Sequence, residues 1–278
     1  MSKRALSAVP ALLLIIPVMG VGIARVVMGA FGVWSDYGKS RFSWEGFNSF
    51  DFSLAKSLGL TLFIASISTT FALCLGTLAA YYIYEAGRDA RLLKIGVAVV
   101  LLTPHLVSAV SIYLLLGDSG FLARLLRPAL HFWPQFIAGP YWLGVIINFA
   151  WKESAFVALM LLAVLPNNTS GMVEAAQMLK AGPKRILRQV LLPLVKPSLI
   201  LSGGLAFIYA IGSYEAAWLL GRSYPEPLAV LTYRLFTNSD LVFRPQAYAS
   251  ALISLVIIAT VGLVLVFWLR KIPRWAPQ

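Results

Sequence analysis

The sequence predicts an all-α integral membrane protein with six transmembrane helices. Three observations predict it. The first is composition: 59% of the 278 residues are apolar and the mean hydropathy is +0.81, against about 45–50% apolar in soluble domains. The second is run length. Ala5–Ala24, Ser57–Tyr84, Ile95–Gly117 and Pro245–Leu269 carry no Asp, Glu, Lys or Arg, and about 20 apolar residues suffice for a helix to cross a bilayer. Tyr141–Leu165, interrupted by Lys152 and Glu153, and Pro197–Gly221, interrupted by Glu215, complete the six. A β-barrel is disfavoured, because barrel strands alternate and run to only about ten residues.

The third observation is the charge distribution. The formal net charge is +12, which in a soluble chain would suggest nucleic acid. Here Lys3, Arg4, Arg88, Arg91, Lys94, Lys180, Lys184, Arg185, Arg188, Lys196, Arg270, Lys271 and Arg274 all fall on one side of a six-span arrangement. That is thirteen basic residues against three acids, Glu85, Asp89 and Glu174. The opposite side holds eight basic residues against six acids. A basic excess marks the cytoplasmic face, so both termini and the loop 166–196 are expected there. The location expected is a bacterial inner membrane, crossed several times.

The elements follow in order. The first span covers about 6–29. Lys3-Arg4, an apolar run and Gly22-Ile23-Ala24 have the outline of a cleavable signal, but the run is longer than a usual h-region, so a retained helix is expected. Arg25 reads as an interface anchor. An outer loop follows with Phe31, Trp34, Tyr37, Phe42, Trp44, Phe47, Phe50 and Phe52, read as an aromatic belt at headgroup level. The second span, about 54–84, is long enough to tilt. It holds Cys74, read as a small packing residue; a lone cysteine forms no intrachain disulfide. The third, about 93–116, contains Pro104-His105 and should kink there. Residues 117–140 include an amphipathic piece, Phe121 to Arg127. The fourth span is about 141–165, the fifth about 197–220 and the sixth about 246–269. Gly59, Gly76, Gly203 and Gly204 are expected to allow close helix approach. The expected organisation is 1–52 for the first helix and outer loop, 53–270 for a core of five helices, and 271–278 for a cytoplasmic tail.

The cytoplasmic loop is the most distinctive segment. Gly171 to Lys180 reads as a short helix capped by Asn168, Thr169 or Ser170, with Glu174 near its first turn and Lys180 at its end. Ala181-Gly182 breaks it, and Pro183 suits the first position of a second, amphipathic helix over 183–192. Pro193 is expected to end that helix. Ala175-Ala176 leave a nearly bare face open to a partner groove; an ordinary interfacial loop is the other reading.

Glu174-Ala175-Ala176, then Gly182, then Val190-x-Leu192-Pro193 resembles the EAA loop of binding-protein-dependent ABC transporter permeases of the type I fold. One position departs: where the family usually has Gly six residues after the Glu, this chain has Lys180, with Gly182 offering a break two residues later. Pro104-His105, Trp151-Lys152-Glu153-Ser154 and Gly212 to Glu226 look like the spermidine/putrescine-like branch, whose relatives handle polyamines, iron, thiamine or phosphonates. The resemblance implies a permease subunit of an ATP-driven importer. Its partners would be a cytoplasmic ABC ATPase dimer, a second permease subunit (sister chain or self) and an extracytoplasmic solute-binding protein. The ATPase-coupling residues implied are Glu174, Ala175, Ala176, Lys180, Gly182, Pro183, Leu192 and Pro193.

His105, Lys152, Glu153, Tyr214 and Glu215 are the candidates for a translocation path or gate, since charges inside a span usually face its interior. Lys152 and Glu215 are expected to be able to meet between the fourth and fifth spans. A purely structural interhelical pair stays open beside the path reading. The rival class is an ion-coupled transporter or channel using Lys152, Glu153, Glu215 and His105, though no two-fold repeat supports it. No G-x-x-x-x-G-K-[ST], H-E-x-x-H or G-x-S-x-G occurs, so no catalytic residues, metal site or cofactor are expected and the chain is not expected to be an enzyme.

Overall fold

The computed structural model describes residues 3–34, 36, 40–48, 52–87, 89–165 and 170–271. Tyr37, Phe50, the candidate caps Asn168 and Thr169, the basic Arg88 and Arg274, and nearly all of the tail 271–278 lie outside the described residues. Among the described residues the regular structure is all helical. Six helical stretches are long and apolar enough to cross a membrane: Leu12–Ala30, Leu54–Ala86, His105–Leu126, Leu143–Leu162, Pro183–Gly212 and Leu241–Lys271.

The chain divides into two compact units. The first, Met1–Leu58 with Pro227–Ile257, contains α1 (Lys3–Ala30), α2 (Glu45–Asn48), the start of α3 (Phe52–Ala86), α12 (Leu228–Phe236) and the first half of α13 (Arg244–Lys271). Leu54, Leu228, Leu231, Leu235 and Ala247 form one core there. Asp36 is the polar node of this unit. It pairs with Arg25, accepts from Tyr248 Oη at 2.7 Å, and lies 3.9 Å from Arg244 Nη1. Arg25 also sits 4.5 Å from the Trp34 ring centroid. Arg25 is therefore tied into an ion-pair network, not simply an anchor among headgroups. Phe31, Phe42, Trp44 and Phe47 pack on one another with centroids 5.1–5.8 Å apart. They form a self-packed cluster more than an open belt.

The second unit, Gly59–Glu226 with Ile258–Gln278, is built on α7 (Leu143–Leu162). This is the most buried of the six candidate spans, and α4 (Arg91–Leu102), α5 (His105–Leu116), α10 (Leu192–Gly212) and α11 (Glu215–Leu220) pack on it. Proline at 104 does more than kink the third span. The helix stops at Leu102 and restarts at His105, with Thr103 extended. An amphipathic helix, α6 (Phe121–Leu130), follows as expected.

Three of the four glycines expected at close approaches are there. A Cβ on Gly76 would lie 2.6 Å from Val157 Cβ and from Ser154 O, one on Gly203 3.0 Å from Leu73, and one on Gly204 2.3 Å from Leu265. Gly59 has nothing within 4 Å and makes no such approach. Cys74 is exposed, beside exposed Phe71, Leu75 and Leu78, so it is not a packing residue.

Candidate functional site

The segment after the fourth span forms α8 (Ser170–Met178) and α9 (Pro183–Ile186). Glu174 is the fifth residue of α8, just past its first turn and near the position expected for it. The inner face of α8 presents Val173 and Ala176 to a core that includes Ile186, Leu191 and Val195. Its outer face exposes Met172, Ala175, Met178 and Leu179, with Glu174 beside them. The two alanines, 100° apart on a helix, therefore do different things. Ala176 packs inward, and only Ala175 belongs to the bare face.

The left-handed residue that caps α8 is Lys180, two residues past Met178, and not Gly182. Lys180 has φ +57°, its N–H donates to Gln177 O at 2.8 Å, and the next N–H, from Ala181, donates to Ala176 O at 3.0 Å. This pair of bonds around a left-handed residue is a Schellman cap, usually made with glycine. Lys180 occupies the position where the EAA pattern has Gly and adopts the backbone that glycine would take there. Gly182 has an ordinary φ of −72° and precedes Pro183, the first residue of α9.

Pro193 does not end the second helix. After α9 the backbone widens into a π-helical turn over Leu187–Leu191 and then runs on as α10 through Pro193 and Pro197. In an α-helix the Pro193 ring would strike the carbonyl four residues back. The wider turn immediately before it relieves that crowding, since it shifts the bonds to i→i+5. The segment that carries α9 and the fifth span are thus joined by continuous helix from Pro183 to Gly212.

The second candidate site lies where the third span breaks. In a continuous helix the Val100 carbonyl would accept the N–H of residue 104, and proline has none. Lys152 supplies the missing donor. Its Nζ lies 2.8 Å from Val100 O and 2.8 Å from Leu101 O. A cation at the C-terminus of α4 also suits the helix dipole. The sequence expectation that Lys152 and Glu215 could meet is replaced by this bond. Glu215 is instead exposed at the first position of α11, with Tyr214 just before it, after the fifth-span helix breaks at Ser213.

A cavity of about 230 Å³ opens beside the break, lined by Leu101, His105, Lys152, Glu153, Phe156, Leu205 and Tyr209. Three of the five path candidates are therefore brought together, while Tyr214 and Glu215 are not among the lining residues. His105 lies against Tyr209 with centroids 4.2 Å apart and ring planes tilted by 31°, and its Nδ1 is buried without a partner.

Tyr209, Phe156 and the buried pair Ser108–Asn148 were missed from sequence. Asn148 had a signal: it lies one helical turn before Lys152, so both face the α4–α5 break. Ser108 Oγ, with a single proton to donate, lies 2.7 Å from His105 O and 2.9 Å from Asn148 Oδ1. Donation to the carbonyl leaves the Ser108 lone pairs for the Asn148 amide NH₂, the orientation that also satisfies its otherwise unpartnered Nδ2.

Residues 72–274, well over half of the chain, match the family model described as "Binding-protein-dependent transport system inner membrane component". The chain belongs to this family. It is 28% identical over 231 residues to the "Inner membrane ABC transporter permease protein YnjC" of Escherichia coli (strain K12), covering 81% of this chain and 44% of that protein. The chain thus spans less than half of that relative's length. It is 26% identical to the "Spermidine/putrescine transport system permease protein PotC" of the same organism, covering 80% of this chain and 81% of that one. Other relatives are named for ferric and for molybdenum transport. A crystal structure of "a bacterial ABC transporter involved in the import of the acidic polysaccharide alginate" has the same fold, with a TM-score of 0.78 at 16% identity over 98% of this chain and 95% of that chain. These matches give the chain its family, an inner-membrane component of binding-protein-dependent transport systems, and a fold shared with solved ABC importers.

Proposed function

We propose that this chain is a permease subunit that forms half of a translocation path and is driven by a cytoplasmic ABC ATPase gripping α8. A second permease subunit would complete the path, and a solute-binding protein would deliver cargo to the outer loops. Residues 53–270 would form the transport core. The observation that carries the reading is the two-faced α8. Val173 and Ala176 hold it on the core, while Met172, Ala175, Met178 and Leu179 stand exposed. An exposed apolar stripe on a short helix suits insertion into a partner's groove.

The rest of the segment supports transmission. Because α9, the π turn and α10 are continuous, a displacement of α8 and α9 would be carried as a rigid movement into the fifth span. Lys180, Gly182, Pro183, Leu192 and Pro193 shape that connection, and Glu174 and Ala175 face the partner. His105, Lys152 and Glu153 would line or support the path. The cargo is a small solute of the polyamine-like, iron, thiamine or phosphonate class. The ATP is hydrolysed by the partner.

Glu174→Lys and Ala175→Trp each place an obstacle on the docking face without touching the core. Both should lower ATPase co-purification and abolish ATP-dependent uptake into proteoliposomes. Wild-type uptake together with an undiminished ATPase yield in both variants would overturn the docking assignment.

A further inference from the structure

We infer that the cavity beside the α4–α5 break binds a small organic ammonium ion, with Glu153 as its counter-charge. The inference rests on the permease reading and names the chemical class of the cargo. It starts from an unsatisfied group. Glu153 is only 8% exposed, opens on the cavity, and makes no hydrogen bond or ion pair with any described residue. Its oxygens are not among the fully buried unpartnered atoms, so they face the cavity, where a bound donor can reach them.

Lys152 is not that donor. Although adjacent in sequence, the two side chains leave the helix about 100° apart, and the Lys152 ammonium is directed to the Val100 and Leu101 carbonyls. Its charge is met there by two acceptors and by the negative end of α4. Beside the apolar Leu101 and Leu205, the rest of the lining is His105, Phe156 and Tyr209. His105 Nδ1, buried and unpartnered, presents a lone pair when the proton is on Nε2. Tyr209 and Phe156 contribute aromatic rings, and a cation over an aromatic face is favourable.

A ligand that satisfies this set carries a positive charge and several N–H donors on a compact apolar body. The size agrees. At about 230 Å³ the cavity falls below the roughly 300 Å³ at which sites for drug-sized ligands begin.

The test uses the assembled complex in lipid nanodiscs. Dicyclohexylcarbodiimide activates carboxyl groups in apolar surroundings, and reaction at Glu153 is read from the loss of its unmodified peptide, so that an N-acylurea and an amide formed with an added amine both count as modification. Saturating n-butylammonium chloride should slow that modification at least tenfold, and sodium butyrate at the same concentration should not. Glu153→Gln should remove the label. Three results would overturn the inference: no protection by n-butylammonium, equal protection by butyrate, or a Glu153 that resists the reagent with and without the probe because a neighbouring subunit supplies its donor. ATP hydrolysis measured on the same nanodiscs keeps this separate from the coupling assignment. A complex that hydrolyses ATP in an α8-dependent manner stands as a permease–ATPase pair whatever the labelling shows.

Discussion

At the scale of single residues, the chain's most consequential pairing is a side chain mending a backbone. Pro104 removes one N–H from the third span, and the Lys152 ammonium, 3% exposed, takes its place on the Val100 carbonyl. A lysine is rarely buried without such compensation. Lys152→Met should therefore leave a carbonyl unpaired and destabilise the protein by about 1–3 kcal/mol. Lys152→Arg, which keeps charge and donors, should retain most of that stability. Thermal unfolding of the purified complex reads the difference, and a Met variant as stable as wild type would remove the repair role. Sequence reasoning singled out Lys152, Glu153 and His105 because charged or titratable groups stand out in an apolar span. It could not find the partner. A backbone carbonyl is present at every residue, and only the break at 103–104 leaves this one in need of a donor.

At the scale of elements, helix ends and helix contacts obey backbone geometry more closely than composition. Lys180 shows this: its left-handed φ of +57° closes α8 even though a nearby glycine was available. The position in the turn, two residues past Met178, decides which residue must adopt that conformation. Pro193 shows it again. Read alone, a proline ends a helix, yet here the preceding π turn lets the helix continue. The glycines of α3 separate packing from mere composition. Gly76 touches α7, and Gly59 touches nothing within 4 Å. Gly76→Val should cost about 1–3 kcal/mol through overpacking. Gly59→Ala should be neutral or stabilising by up to about 1 kcal/mol through helix propensity. Melting temperatures of the two variants test the contrast, and equal shifts would contradict the assigned contacts.

At the scale of the whole molecule, orientation rests on the basic excess of one side, since cytoplasmic loops near span ends collect Lys and Arg. With Cys74 replaced by alanine, a single cysteine at exposed Met178 should react with an impermeant maleimide only from the cytoplasmic side. One at exposed Ser239 should react only from the opposite side. Labelling with the sides exchanged would invert the topology and place α8 beyond reach of an ATP-dependent partner.

What the sequence determined by itself was the class of molecule. It read six apolar spans, a strongly basic side and a short helix–turn–helix segment carrying Glu174, Ala175 and Pro183, because hydrophobic length, charge bias and turn residues act locally. What the tertiary structure decided was which faces meet. It turned Ala176 inward and left Ala175 out, sent Lys152 to a broken helix end and not to Glu215, and left Glu153 alone beside a cavity. These are outcomes of packing between segments far apart in the chain. Side-chain direction around a helix restricts the options, but only the neighbouring helices select among them.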